Sequence, residues 1–459
     1  MMIVIAIENS LLHKRIAIKI LLLFGCSHYK ISFLLFFCTM ALSMWFTNCM
    51  ACGLMMPLVK AILGELEKMG IIETNEATVT INNDSDKNGP RPTDFTIFYF
   101  LGIAYSSSIG GMATLIGSET NLIFKNYCEL IFPRSPKLEG PHVMLLTLPG
   151  VLIMETFLYL WLNFYFLGML RVRNYTALQT TLTGDEEQYI NILLKTQYQQ
   201  LGRIKFHEIA VGAVVILTAC LQAIISSTYL NDRKHIDNYN VIKSSTPSIM
   251  SALILFITPV DLNCFRFLRK NDDSEPLPSS PSRGCLTWSL VNDNIQWSVL
   301  FVIGSSTIIF EAMKEAKMSD EFEKFLMLFS KTSAPMLAFV VIAFCKVMTE
   351  FGSNASVMYC LLIHVTRVSV AAKVNPIYLM LSAALSTSLP FHLITGTPAN
   401  AMVSAYVNIP PRKMMIAGIG PSIISILTNL FTVCVWSKAI WPDIDAYPDW
   451  TDTKYIRNL

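Results

Sequence analysis

The sequence predicts an all-α polytopic membrane protein built from two inverted repeats, each with a re-entrant helical hairpin and a broken transmembrane helix. Three observations predict it. The 459 residues are 53% hydrophobic and 15% charged, with a mean hydropathy of +0.48, which is too apolar for a soluble chain of this length. Apolar runs near 142–169, 207–228, 247–263, 297–313 and 416–440 approach the roughly 20 residues that cross a ~30 Å hydrocarbon core. Two further apolar runs are interrupted by Thr47-Asn48-Cys49 and Ser353-Asn354-Ala355, and each interruption is followed by a second break that contains asparagine.

Taken in order, Met1 to Ile7 is apolar without a basic lead and is followed by His13-Lys14-Arg15, so it is not read as a signal peptide. Residues 10–24 read as a short basic amphipathic helix at the membrane interface or as a solvated connector. Residues 31–63 carry almost no charge and are too long for one span but too short for two, which predicts a hairpin with its tip at Thr47-Asn48-Cys49. Non-helical backbone at membrane depth survives only where protein or a wet cavity surrounds it. The polar stretch from Gly70 to Asp94 reads as a surface loop, and its sequon Asn83-Asp84-Ser85 is expected to stay unused on the cytoplasmic side. A broken helix follows at 95–125, with Ser108-Ile109-Gly110-Gly111 and then Gly117-Ser118-Glu119-Thr120-Asn121.

The basic residues of 171–206 and 264–296 place those segments in the cytoplasm and the C-terminus after Trp441 outside. Pro278 to Pro281 reads as a linker. The second hairpin is expected at 335–371 with its tip at Gly352 to Ala355, and Lys346 and Glu350 are spaced to pair on one face of its arm, turned inward. The second broken helix, 376–410, carries Ser388 and Gly396-Thr397-Pro398-Ala399-Asn400.

Paired broken helices in two halves of a membrane protein point to a midplane substrate site, and so to a secondary transporter. The arm leaving each tip presents its N-terminus, with free N–H groups and the positive end of the helix dipole, to an anion. Thr47, Asn48, Ser353 and Asn354 add neutral donors. The arms entering the tips and the unwound stretches at Gly117 and Gly396 expose carbonyl oxygens suited to an alkali cation, one site per repeat. Each motif has a plainer reading, since Ser, Thr and Asn are routine N-caps and Gly110-Gly111 suits close helix packing; their repetition in the same order favours the site. A net charge of +2 with no basic run gives no reason to expect nucleic acid. The 11 cysteines lie mostly in apolar segments, and Cys49 and Cys52 have no partners at metal spacing. No catalytic set or cofactor motif is recognised, so an enzyme is not expected.

These residues resemble the divalent anion:sodium symporter family, the INDY-type carriers of di- and tricarboxylates and sulfate, over nearly the whole chain. The resemblance rests on Ser43 to Cys49, on Thr349 to Ala355, on the loops Ser108 to Leu122 and Gly396 to Ala401, and on Leu12 to Ala17. It implies a first sodium site at Ser43, Thr47, Asn48 and Gly117, and a second at Thr349, Gly352, Asn354 and Gly396. It implies anion contacts from Asn48, Cys49, Ser353, Asn354, Ala355, Thr397 and Pro398. It also implies a homodimer in which a transport domain moves like an elevator against a scaffold, with Na+ as the coupling ion and no other cofactor. The corresponding division is 1–30 residual scaffold and interfacial helix, 31–170 first transport half, 171–330 scaffold, 331–441 second transport half, and 442–459 tail.

Cys49 and Ala355 depart from the family's threonines, Thr47 from its serine and Ile394 from a frequent proline, while Glu119 adds a carboxylate beside the first loop and His392 a titratable ring beside the second. Pseudo-symmetry would require more helices before the first hairpin, so a truncated start is expected. The reading is therefore sodium-coupled symport of citrate or succinate across the plasma membrane. Its alternatives are a sulfate carrier of the same fold and a transport-dead regulatory protein.

Overall fold

A computed structural model describes residues 1–25, 27–75, 91–115, 117–132, 135, 138, 140–168, 184–226, 246–261, 283–442, 444 and 446–451. The Asn83 sequon, the Pro278 to Pro281 linker, much of the charged segments used for orientation and most of the 442–459 tail lie outside them. Among the described residues the regular elements are helical, with two isolated β-bridges, Asn75 to Pro92 and Pro259 to Gly284.

The first helices are α1 (Met2–Ser10), α2 (Leu12–Phe24), α3 (His28–Trp45) and α4 (Asn48–Lys68). The helices on either side of the expected first tip, α3 and α4, thus run beyond 31–63. The second arm continues through Glu65 and Lys68, which pair at 2.7 Å one turn apart, so the added turn is closed by its own charges. Next come α5 (Asp94–Met112), α6 (Glu119–Ile131), α7 (Gly140–Leu167), α8 (Gly184–Gln200), α9 (Phe206–Ser226), α10 (Thr246–Ile257) and α11 (Trp288–Asn294). Then follow α12 (Trp297–Glu315), α13 (Ser319–Met327), α14 (Ala334–Phe351), α15 (Asn354–Ala371), α16 (Pro376–Thr387), α17 (Pro398–Val407), α18 (Pro411–Ala417) and α19 (Ile419–Phe431). A π-helical turn, Thr432–Trp436, carries α19 into Ser437–Ile440. Among the described residues, seven segments are long and apolar enough to cross a membrane: α4, α5, α7, α12, α14, α15 and Pro411–Ile440.

By packing the chain forms two units. One comprises Met1–Ser32, Gly53–Glu73 and Leu178–Ile295. Its core sets Ile5, Ala6 and Ile7 of α1 against Val211 and Val214 of α9, Leu255 of α10, and Cys285, Leu286 and Val291. Here α2 differs from a helix with all its bases in solvent. Arg15 is buried, its Nε 2.7 Å from Glu208 Oε2, and its guanidinium also donates to Gly202 O at 3.0 Å and Leu201 O at 3.3 Å. The planar fork satisfies a carboxylate and two loop carbonyls together, which is why this base turns inward.

The other unit comprises Phe33–Cys52, Thr74–Ala177 and Gln296–Leu459. Its centre is α5, in which every residue from Phe95 to Met112 is buried. Serines and glycines along it let neighbouring backbones approach, and a Cβ at Gly110 would overlap the Met40 carbonyl of α3. By contrast only 17% of the apolar window of α12 is buried, an outward surface suited to lipid. Helix α7 and the Pro411–Ile440 stretch run antiparallel: Trp436 Nε1 donates to Leu145 O at 3.2 Å near one end, and Trp161 Nε1 to Ala417 O at 2.9 Å near the other.

Candidate functional site

The first hairpin turns between Trp45 and Asn48, and the broken helix beside it stops at Met112 and resumes at Glu119. Ser43 Oγ lies 2.5 Å from Ser107 O and 3.0 Å from the Asn48 amide. The same end of that amide is 3.0 Å from Gly117 O and 3.1 Å from Ser107 O. With nitrogen there, hydrogen bonds close the cluster; with oxygen there, four oxygens converge and a cation satisfies them. Gly117 makes the approach possible, because a Cβ would stand 2.5 Å from Ser43 O and 2.8 Å from Gly111 O. Thr114 Oγ1 holds the unwound strand by donating to Met44 O at 2.7 Å and accepting the Gly117 N–H at 2.9 Å. Ser43, Asn48 and Gly117 are thus brought together. Thr47 lies on the turn, where its carbonyl accepts the Met50 and Ala51 N–H groups and starts α4.

The second hairpin repeats the device. Gly352 breaks α14 with an extended backbone, Ser353 caps α15, and the Asn354 N–H donates to Gly396 O at 3.1 Å. A Cβ on Gly396 would sit 3.1 Å from Thr349 O, so Thr349, Asn354 and Gly396 are neighbours, whereas Gly352 faces the Phe310 ring of α12. The asparagines that resume the broken helices do the same work: Asn121 Nδ2 reaches back to Met112 O and Thr114 O at 3.2 and 2.9 Å, and Asn400 Nδ2 to Pro390 O and Leu393 O at 3.1 and 3.3 Å.

The second loop also has an ionic clamp absent from the described part of the first. Glu350 accepts the N–H groups of Phe391, His392 and Leu393 at 3.0, 2.9 and 3.1 Å. Lys346 Nζ is 3.6 Å from Glu350 Oε1, donates to Leu389 O, and lies over the Phe391 ring at 4.2 Å. The inward pair expected from spacing is present, and its role is to hold the unwound loop. His392 is tied down at both ring nitrogens: Nδ1 donates to Met415 O at 2.8 Å, and Nε2 lies 2.9 Å from Ser422 Oγ, a hydroxyl that can donate or accept. Glu119 is exposed.

The expectation of free N–H groups at both tips holds only in part. At α15 the chain caps itself, with Ala355 N–H on Asn354 Oδ1 at 3.0 Å and Ser356 N–H on Ser353 Oγ at 3.4 Å, because short polar side chains reach their own first-turn donors. At α4 the Asn48 and Cys49 N–H groups have no acceptor among the described residues. Cys49 Sγ meets Met402 Sδ at 3.4 Å, which brings the first tip against α17, the helix capped by Thr397 and begun by Pro398. Sequence reading missed the buried hydroxyl cluster of Ser118, Thr120 and Ser388, in which Thr120 and Ser388 are 2.5 Å apart; alternate small hydroxyls at both breaks were its only signal.

The family described as citrate transporter matches residues 1–358. Over 456 residues the chain is 31% identical to Protein I'm not dead yet of Drosophila melanogaster, covering 98% of this chain and 77% of that protein. It is 24% identical to the Na(+)/citrate cotransporter of Rattus norvegicus, covering 98% of this chain and 82% of the relative. It is 25% identical to the Na(+)/dicarboxylate cotransporter 3 of Homo sapiens, with 97% and 80% covered.

Proposed function

This chain belongs to the citrate transporter family of membrane carriers, and on that footing we propose that it carries di- or tricarboxylates such as citrate and succinate with sodium across the plasma membrane. The observation that carries the reading is the convergence of the Asn48 amide, Ser43 Oγ, Ser107 O and Gly117 O at one break, with Asn354 against Gly396 O at the other. Carbonyl and amide oxygens at unwound helices suit a bare monovalent cation. Sodium held there supplies positive charge between the tips, where Asn48, Cys49, Ser353, Asn354, Ala355, Thr397 and Pro398 receive the anion. The first-turn N–H groups of α4 add donors, while a carboxylate at α15 displaces that helix's own caps. Neutral donors without a fixed counter-charge keep release possible.

In this proposal the chain works as a homodimer. Residues 31–170 and 331–441 form the moving transport domain, and 171–330 form scaffold. The absence of hydroxyls at Cys49 and Ala355 favours one second reading, a transport-dead regulator, since each lost bond to a charged group weakens binding by about 1.5 to 3 kcal/mol. Uptake of radiolabelled citrate, succinate and sulfate into cells expressing the chain, in sodium and in choline, decides between them. Sodium-dependent carboxylate uptake abolished by Asn48→Ala or Asn354→Ala is the expected result. No uptake of any anion despite surface arrival overturns transport and leaves the regulator; sulfate uptake alone moves the substrate class.

A further inference from the structure

A carboxylate lies inside the second packing unit where the carrier reading gives it no task. Glu155 falls midway along α7, 15 residues from Gly140 and 12 from Leu167, or about 22 and 18 Å from the two helix ends. It is 0% exposed. Ser106 Oγ donates to Oε1 at 2.7 Å, while Oε2 has no partner among the described residues. A buried polar atom without a partner is costly, and an isolated buried carboxylate far more so. The two tryptophan bonds fix the register of α7 against the Pro411–Ile440 stretch and set Glu155 level with Ser425 on the seam, where Ser422, Ser425, Thr428 and Asn429 of α19 are buried. This stripe supplies no charge.

We propose that Glu155 is a proton-binding site within the substrate-carrying unit, loaded and unloaded during transport, so that a proton is a coupling or gating ion in addition to those at the helix breaks. This rests on the reading of the chain as a carrier. The proton is added to the carboxylate from water, and the new O–H replaces the orphaned acceptor by a donor. A sodium ion fits less well, because Ser106 Oγ is the only oxygen hydrogen-bonded to the carboxylate among the described residues and an alkali cation needs several oxygens around it. The position also suits coupling: Ser106 is followed by Ser107, whose carbonyl takes Ser43 Oγ beside Asn48, so a change of Glu155 is one residue from the first break.

The titratable groups on the packed elements are Asp94, Tyr99 and Tyr105 on α5, Arg412 and Lys413 on α18, Cys434 in the π turn and Lys438 beyond it, with none on α19. Helix α3, which reaches α7 through Phe33 and Phe36 against Tyr159, carries His28, Tyr29, Lys30 and Cys38, and α7 itself carries His142, Tyr159 and Tyr165. None of these forms an ion pair or hydrogen bond with Glu155 among the described residues.

Two measurements test the site. Carboxylate uptake by the full chain and by Glu155→Gln, which mimics the protonated form and keeps an acceptor for Ser106, is compared at equal surface amounts from acid to alkaline external pH. Taking the ratio of the two at each pH cancels titration of the substrate. The ratio is expected to change with pH, by up to about tenfold per unit over the titrating range. A flat ratio overturns the proposal, and absence of uptake by the unaltered chain refutes the carrier reading instead. Infrared difference spectra of the purified full chain then judge the proton alone: a buried protonated-carboxyl band that fades as pH rises and is missing in Glu155→Gln is expected, and a band unchanged by the substitution or by pH overturns it.

Discussion

Replacing Glu350 by glutamine is the sharpest perturbation of the second loop. The carboxylate accepts three consecutive backbone N–H groups and neighbours Lys346, with both charged side chains buried. An amide keeps one acceptor oxygen, so turned toward His392 and Leu393 it retains two bonds in weaker neutral form and points its nitrogen at the Phe391 donor. One charge-assisted bond lost at about 1.5 to 3 kcal/mol and two weakened by about 1 kcal/mol each sum to roughly 4 kcal/mol against the observed loop geometry, and the ammonium left without its counter-charge adds to this. If only a third of this falls on the difference between sodium-bound and sodium-free states, half-saturating sodium rises about tenfold. The assay is a sodium titration of uptake at fixed surface amount. Lys346→Met in the same chain removes the stranded ammonium, so the double variant is expected to be less impaired than the sum of the singles. A half-saturating sodium for Glu350→Gln within about twofold of the unaltered chain, or strict additivity, refutes the clamp argument; about 1.4 kcal/mol corresponds to a tenfold change.

Two further outcomes follow from geometry. Gly117→Ala drives a methyl toward Ser43 O and Gly111 O and is expected to abolish sodium-dependent uptake, whereas Gly64→Ala, with nothing within 4 Å inside α4, is expected to leave uptake intact and to stabilise the helix by up to about 1 kcal/mol, read as surface amount and thermal retention. Glu323 of α13 is held below the usual carboxylate range: burial alone raises it, but hydrogen bonds from His364 at 2.8 Å and Arg367 at 3.1 Å outweigh burial. Because the folded value is the lower one, its stabilisation is complete above the ordinary carboxylate range, about pH 5 and higher, and is lost as pH falls through the lowered value. Heat retention of Glu323→Gln relative to the unaltered chain is expected to show a constant deficit near neutrality that vanishes in acid.

Much of this arrangement was legible because broken helices leave local signatures. Asparagine and small hydroxyls at 47–49 and 353–355 cannot extend an apolar run without cost, and the second breaks at Gly117 and Gly396 follow each in the same order. The Lys346 to Glu350 spacing likewise foretold an inward pair. What stayed hidden depends on partners distant in sequence. Arg15 looks like an interfacial base until Glu208 and the Leu201 and Gly202 carbonyls meet it. The self-capping of α15 is a matter of rotamers. Glu155 did carry a signal, as a lone carboxylate in a long apolar span, but its segment was read only for length.

The paired indoles have a mechanical consequence. Trp161 and Trp436 bind carbonyls near opposite ends of two antiparallel spans, so sliding one span past the other by a turn, about 5.4 Å, breaks both bonds at once and strands two N–H groups. Tilting the pair as a block breaks neither. The rod formed by α7 and Pro411–Ile440 is therefore a stiff lever arm: displacement delivered at one end arrives at the other as rotation, with no slack taken up by shear between them.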